Sequence, residues 1–147
     1  MNILFVCLGN ICRSPLAEGI TRKRFHELSL KGKVASAGTA YWEEGKKADQ
    51  RSIKIASLKG IDISNHRARQ VSLNDFEDYD LVIAMDENNE RDLLRLAPAA
   101  YHFKIRRLKD ESGKPVSVQD PYYGSESDFL AVFNLLDKCI GLELDNF

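Results

Sequence analysis

The chain opens on NILFVCLGNICRSPLAE (residues 2–18), an apolar run that ends at a cysteine, passes Gly-Asn and a second cysteine, then reaches Arg-Ser-Pro. Asn2–Val6 shows no polar alternation, which is the pattern of a central parallel strand covered on both faces. Ser14-Pro15 predicts a helix start, with serine at the N-cap and proline at the first helical position. Leu16, Ala17, Ile20 and Leu28 fall on one side of that helix, with Arg24 interrupting the stripe.

The same alternation continues. Lys33–Ala37 reads as a second strand, and residues 48–59 as a helix ending at Gly60 in the C′ position. Tyr79–Met85 reads as a third strand, followed by a helix from Glu87 to about Leu96 that stops before Pro98. His102–Ile105 is the fourth strand. A last helix, residue 127 to about 144, carries Phe129, Val132, Phe133, Leu136 and Ile140 at spacings of three and four, a core face.

Strands separated by helices imply parallel pairing with right-handed crossovers. The predicted fold is therefore α/β: a three-layer sandwich around a four-stranded parallel sheet, with flavodoxin-like topology. No repeat, low-complexity tract or Gly/Ser linker divides residues 1–147, so one domain is expected. In such sheets ligands bind beyond the carboxyl ends of the strands, and Cys7 stands at one.

A net charge of −1 argues against nucleic acid or a membrane surface as partner. No apolar stretch approaches a membrane span, and the start is too short and too uncharged for a signal peptide. Three cysteines form no disulfide framework, which points to a reducing cytoplasm.

The loop from Cys7 to Arg13 turns backbone N–H groups toward one point at a helix N-terminus, which makes an anion cradle. Gly9 and Asn10 tolerate the left-handed backbone such a nest requires. Arg13 adds a planar fork for two phosphate oxygens, and Ser14 a further hydrogen bond to the sulfur. Positive potential of this kind favours a thiolate at the base of the bowl, beneath a tetrahedral dianion. The plainer alternative is a buried cysteine in a tight turn. Cys7 and Cys12 lack the further ligands that a metal site needs.

Displacement at phosphorus also needs an acid for the departing oxygen. QDPYYG (residues 119–124) offers Asp120 on a loop, with Tyr122 and Tyr123 to wall a slot for a flat ring; a plain turn would read the same way.

VCLGNICRSP and DPYYG together closely resemble the low-molecular-weight protein tyrosine phosphatases, and SAGT (36–39), SNHRARQ (64–70) and YDLVIAMDENNERDL (79–93) extend the likeness over nearly the whole chain. The resemblance implies Cys7 as the nucleophile that becomes a cysteinyl-phosphate. It implies Leu8, Gly9, Asn10, Ile11, Cys12 and Arg13 as the phosphate-binding loop, with Arg13 steadying the transition state. Asp120 becomes the general acid and base, while Asn10, Ser14, Ser36 and His66 form a network that holds the loop. Trp42, Tyr122 and Tyr123 become the walls around the substrate ring, and Cys12 a reversible redox partner of Cys7. The plainer alternatives are a small packed side chain for Cys12 and a core residue for Trp42, although Tyr41 and Glu43-Glu44-Gly45 around Trp42 look like an exposed loop and favour the wall.

The expected activity is hydrolysis of phosphotyrosine in protein substrates and of small aryl phosphates, by a monomer that binds phosphate-like oxyanions. No metal or organic cofactor is needed, because backbone amides and one arginine supply the charge stabilisation. Arsenate reductase chemistry is disfavoured because residues 83–97 contain no cysteine. Phosphoarginine phosphatases tend to carry Thr where this chain has Ile11, and a non-catalytic phosphotyrosine reader would lack Cys7, Arg13 or Asp120. Glu43 and Glu44 suggest discrimination against acidic peptides.

Overall fold

The computed structural model describes residues 1–147 and sets the first strand at the centre of the sheet. β1 (Ile3–Cys7) lies between β2 (Val34–Gly38) and β3 (Leu81–Ala84), and β4 (Ile105–Arg107) lies outside β3. All three pairings are parallel, in the order β2-β1-β3-β4. The helices are α1 (Arg13–Glu27), α2 (Gln50–Leu58), α3 (Leu73–Asp78), α4 (Glu87–Leu96) and α5 (Glu126–Leu144). None is long and apolar enough to cross a membrane. This is the expected four-stranded parallel α/β sandwich.

The uniform apolarity of β1 follows from its position. Ile3, Phe5 and Cys7 face a core shared with Leu16 and Ile20 of α1 and Phe129 and Leu136 of α5. Leu4 and Val6 face a second core with Phe76 of α3, Leu93 of α4 and Tyr79. Each large side chain so buried contributes about 1.5–3 kcal/mol, and β1 has no solvent face on which a polar residue would be neutral.

The chain leaves β1 toward β2 and then crosses to β3 on the other side. That reversal opens a crevice beyond the carboxyl ends of β1 and β3, where the loops after Cys7 and Met85 meet.

Several local expectations change. Ser14 is not the N-cap of α1; the helix begins at Arg13 with Cys12 before it, because the Ser14 hydroxyl is engaged by Cys7 and Asn10. Leu28 is exposed just past the helix end, and Phe25 takes the buried place. Arg24, which breaks the apolar stripe, crosses Gly141 and donates to the Asp137 carboxylate and carbonyl. A Cβ at Gly141 would stand 3.2 Å from its guanidinium. Residues Ala99–Lys104 form a 3-10 helix, and the fourth strand starts only at Ile105. α3 was not anticipated, although Ser72 and Asp75 form a capping box, a pattern visible in the chain itself. The helix from Glu87 to Leu96 and the core face of α5 are as expected, and Gly60 has the positive φ (76°) of a C′ glycine.

Candidate active site

The loop between β1 and α1 is held from outside by its carbonyl groups. The Cys7 carbonyl accepts from the Thr39 N–H (2.9 Å), that of Leu8 from Ala40 (3.0 Å) and that of Ile11 from Asp49 (2.8 Å). The carbonyl of Asn10 accepts from His66 Nε2 (2.7 Å), and that of Cys12 from the Ser52 hydroxyl (3.2 Å). With the carbonyls drawn outward, the amides of Leu8, Gly9, Ile11 and Cys12 donate to no protein group, and that of Asn10 donates to Cys7 Sγ at 3.3 Å. Free amides gathered in one strand-to-helix loop of this kind can act as an anion-binding nest.

The loop depends on one left-handed residue and one close backbone approach. Asn10 has a left-handed φ of 59°. Gly38, paired with Cys7 across β1 and β2, lies so close beneath the loop that a Cβ there would meet the Leu8 carbonyl oxygen at 2.7 Å.

Behind the loop, Asn10 Nδ2 donates to the hydroxyls of Ser14 (2.8 Å) and Ser36 (2.9 Å), and its Oδ1 accepts from the Arg69 N–H (3.0 Å). Ser36 in turn donates to Glu18 (2.7 Å). Because Ser14 Oγ accepts from Asn10, its own proton is left for Cys7 Sγ at 3.0 Å. His66 donates to a carbonyl, so Nε2 carries the proton, and burial pushes the ring below the ordinary histidine value. Asn10, Ser14, Ser36 and His66 are thus one connected network around Cys7.

Arg13 is buried to 3% side-chain exposure. Its Nη1 donates to Asp86 Oδ2 (2.6 Å) and to the Val118 carbonyl (2.9 Å), and Nη2 lies 3.6 Å from Asp120 Oδ2. Burial opposes its charge, but the Cys7 sulfur, Asp86 and Asp120 outweigh that and hold its pKa above the usual arginine value. Its Nε is buried with no protein partner, a donor on a side chain that lines the cleft above Cys7. An orphaned buried donor of this kind marks a place for a ligand acceptor.

The Val118 N–H donates to the Met85 carbonyl (2.7 Å), which ties the segment carrying Asp120 to the end of β3. Asp120 itself is about half exposed, with Oδ1 accepting the Tyr122 N–H at 3.1 Å. Above Cys7 opens a cleft of about 270 Å³ lined by Leu8, Ile11, Arg13, Trp42, Asp120 and Tyr122. Trp42 is 59% exposed at its rim and belongs to no core cluster. Tyr123 also borders it but stands almost wholly in solvent at 98%, so it is the least constrained of the three aromatic residues there. Glu43 reaches the same rim paired with Lys46 (2.8 Å), and Glu44 accepts from the Gln70 N–H, so neither is an unpartnered negative charge.

Cys12 is buried, and both it and Cys7 are free thiols. Burial, then the Asp49 carboxylate, push the Cys12 thiol far above the ordinary cysteine range.

Asp86 was missed by sequence reasoning. Its signal was its place: it stands two residues beyond the end of β3, at the switch point where Cys7 ends β1. It also caps α4, accepting the Asn89 N–H at 2.7 Å. Glu18 and Arg69, which complete the Asn10 network, had no local signal.

Comparison with known proteins shows the family and the fold. Residues 2–143 match the model of the low molecular weight phosphotyrosine protein phosphatase family. The low molecular weight phosphotyrosine protein phosphatase of Homo sapiens is 40% identical over 143 residues, covering 94% of this chain and 90% of that one. The low molecular weight protein tyrosine phosphatase of T. tengcongensis superposes with a TM-score of 0.93 at 34% identity, covering 100% of this chain and 99% of that one. YwlE of Bacillus subtilis superposes with a TM-score of 0.91 at 27% identity, covering 99% and 97%, and is named an arginine phosphatase.

Proposed function

This chain belongs to the low molecular weight phosphotyrosine protein phosphatase family, and from that premise we propose that it hydrolyses phosphotyrosine in proteins through a cysteinyl-phosphate on Cys7. The observation that carries the reading is a buried Cys7 sulfur that accepts the Asn10 N–H, in a cleft also lined by Arg13 with its unpartnered Nε, beside loop amides that have no protein acceptor.

The Cys7 thiolate attacks phosphorus, an S–P bond forms and the P–O bond to the tyrosyl ring breaks. Asp120 gives its proton to the departing phenolate. Water then attacks the cysteinyl-phosphate while the Asp120 carboxylate takes its proton; the S–P bond breaks, releasing inorganic phosphate and restoring the thiolate. In both steps the loop amides and Arg13 hold the equatorial oxygens where charge develops. Ser14 steadies the sulfur as a leaving group in the second step. A floor reached through a slot with Trp42 and Tyr122 at its rim suits a phosphate on an aromatic arm. Cys12, the second cysteine of the loop, is the thiol for a reversible disulfide once a peroxide has oxidised the Cys7 thiolate to a sulfenic acid, the S–S bond forming as water leaves; burial and Asp49 raise the Cys12 pKa and so slow that closure.

The test is phosphate release from a phosphotyrosine peptide in the presence of a chelator, comparing wild type with Cys7→Ser. Turnover in wild type and its loss in the variant support the reading. Release from phosphoarginine but not from phosphotyrosine overturns the substrate assignment. The Ile11 side chain, which brings no hydrogen-bonding group to the cleft, favours the aromatic substrate.

A further inference from the structure

The phosphate loop and the acid loop are also joined outside the cleft, through a residue on α2. Asp49, the N-cap of α2, donates its N–H to the Ile11 carbonyl, so the start of this helix is fastened to the outer edge of the cradle. Its carboxylate accepts Arg51 N–H (2.9 Å) and Nε (3.0 Å) on Oδ1, and Nη2 (3.0 Å) on Oδ2. Two parallel bonds of this kind fix the plane of the guanidinium.

The other donors of the fork reach across to the acid loop. Nη2 donates to the Tyr122 carbonyl at 2.9 Å, and Nη1 to the Gly124 carbonyl at 3.1 Å. The guanidinium lies over the Phe129 ring, 4.4 Å from its centroid, and 5.8 Å from that of Tyr122. Tyr122 is therefore held at both ends, its N–H by Asp120 and its carbonyl by Arg51. Lys54 and Glu126 bridge the same two helices (2.9 Å), but that pair is exposed and adds little.

We propose that Arg51, oriented by Asp49, is a positioning residue that fixes the height and tilt of the Asp120 loop over Cys7. The proposal rests on Asp120 being the acid of the reaction described above. Without the clamp, the polar contacts of segment 120–124 are its own turn bonds and the Arg13–Asp120 pair, with Pro121 still buried at its base. A displacement of about 1 Å at a reacting group is enough to lower rate about a hundredfold. Lysine cannot replace the fork, because one ammonium does not bind a carboxylate bidentately and two carbonyls at once.

The experiment measures kcat/KM for phosphotyrosine and for 4-nitrophenyl phosphate across pH in wild type, Arg51→Gln and Arg51→Lys, with inorganic phosphate inhibition as the readout of the cradle. A phenol as basic as tyrosine needs its proton from Asp120, whereas 4-nitrophenolate leaves with less help. Both variants should lose about tenfold or more on phosphotyrosine, distinctly less on 4-nitrophenyl phosphate, and keep phosphate inhibition within about twofold. The pH limb that reports the acid should flatten in the variants. Equal losses on both substrates with weakened phosphate inhibition would overturn the proposal, because that pattern belongs to a damaged cradle. If Arg51→Gln does not fold, Arg51→Lys, which keeps the stem over Phe129, decides by the same ratio. A wild type inactive on both substrates overturns the phosphatase reading and the clamp with it. An active wild type that the variants match overturns the clamp alone.

Discussion

His66 Nε2 donates to the main-chain carbonyl of Asn10 at 2.7 Å, so a half-buried imidazole holds in place the one residue of the Cys7–Arg13 loop with a left-handed backbone. Burial lowers the pKa of this ring below its ordinary 6.5, against the opposing pull of the Asn10 carbonyl and Glu18. The folded state therefore prefers neutral His66. Its contribution to stability is full above about pH 6.5 and is lost as pH falls from there through the lower folded-state value. Urea unfolding at pH 7.5 and pH 5.5 should show a larger loss for wild type than for His66→Gln. Equal losses would remove His66 as the titrating group.

Asn10→Ala strips donors or an acceptor from Ser14, Ser36 and the Arg69 amide, all gathered on one buried side chain. A loss of about 2–4 kcal/mol is expected from the polar groups left unpaired. Asn10→Gly removes the same bonds but relieves the left-handed backbone, so it should lie about 1 kcal/mol above the alanine variant. Chemical denaturation of both would show the order, and a glycine variant no better than alanine would contradict the strain argument.

Asp86→Asn removes the charge that Arg13 faces at 2.6 Å. Asp86 is a quarter exposed, so the expected loss of stability is only about 1–3 kcal/mol, below that of a fully buried pair. The larger consequence is at the site. With its Nη1 anchor weakened, the fork no longer presents Nε to the cradle, and kcat/KM should fall about tenfold with a weaker inhibition by inorganic phosphate. Unchanged phosphate inhibition would show that Val118 and Asp120 orient Arg13 without Asp86.

Gly38→Ala places a Cβ 2.7 Å from the Leu8 carbonyl oxygen and 3.2 Å from the Asn10 nitrogen. Both are backbone atoms and cannot rotate away, so the loop must lift. A destabilisation of about 1–3 kcal/mol is expected, together with weaker phosphate binding. Thermal unfolding with and without phosphate separates the two effects. A variant as stable as wild type and equally stabilised by phosphate would mean that the loop has slack.

Much of the architecture was legible in the order of the residues because it rests on short-range regularities. An apolar run without alternation marks β1 as central wherever it is set, and the spacing of Phe129, Val132, Phe133, Leu136 and Ile140 marks one face of α5. Cys7 before Gly9-Asn10 and Arg13 identifies the cradle because strand, turn and helix start are local events. α3 was equally local, in the capping box of Ser72 and Asp75, and was overlooked. The fourth strand was misplaced because apolar residues in 102–105 do not distinguish a short strand from a 3-10 turn.

What remained was decided only in three dimensions. Ser14 reads as a helix cap by its neighbours in the chain, yet its hydroxyl lies between Asn10 and the Cys7 sulfur, and that stronger set of partners takes it from the helix end. Asp86, Glu18, Arg51 and Arg69 sit in surroundings that could have left them on a solvated face. Their tasks come from groups 73, 18, 71 and 59 residues away that the sheet order brings within bonding distance. Spacing along a chain determines which backbone conformation a residue adopts. Which donor meets which acceptor is determined by packing, because a buried polar group takes the partner that the fold places beside it.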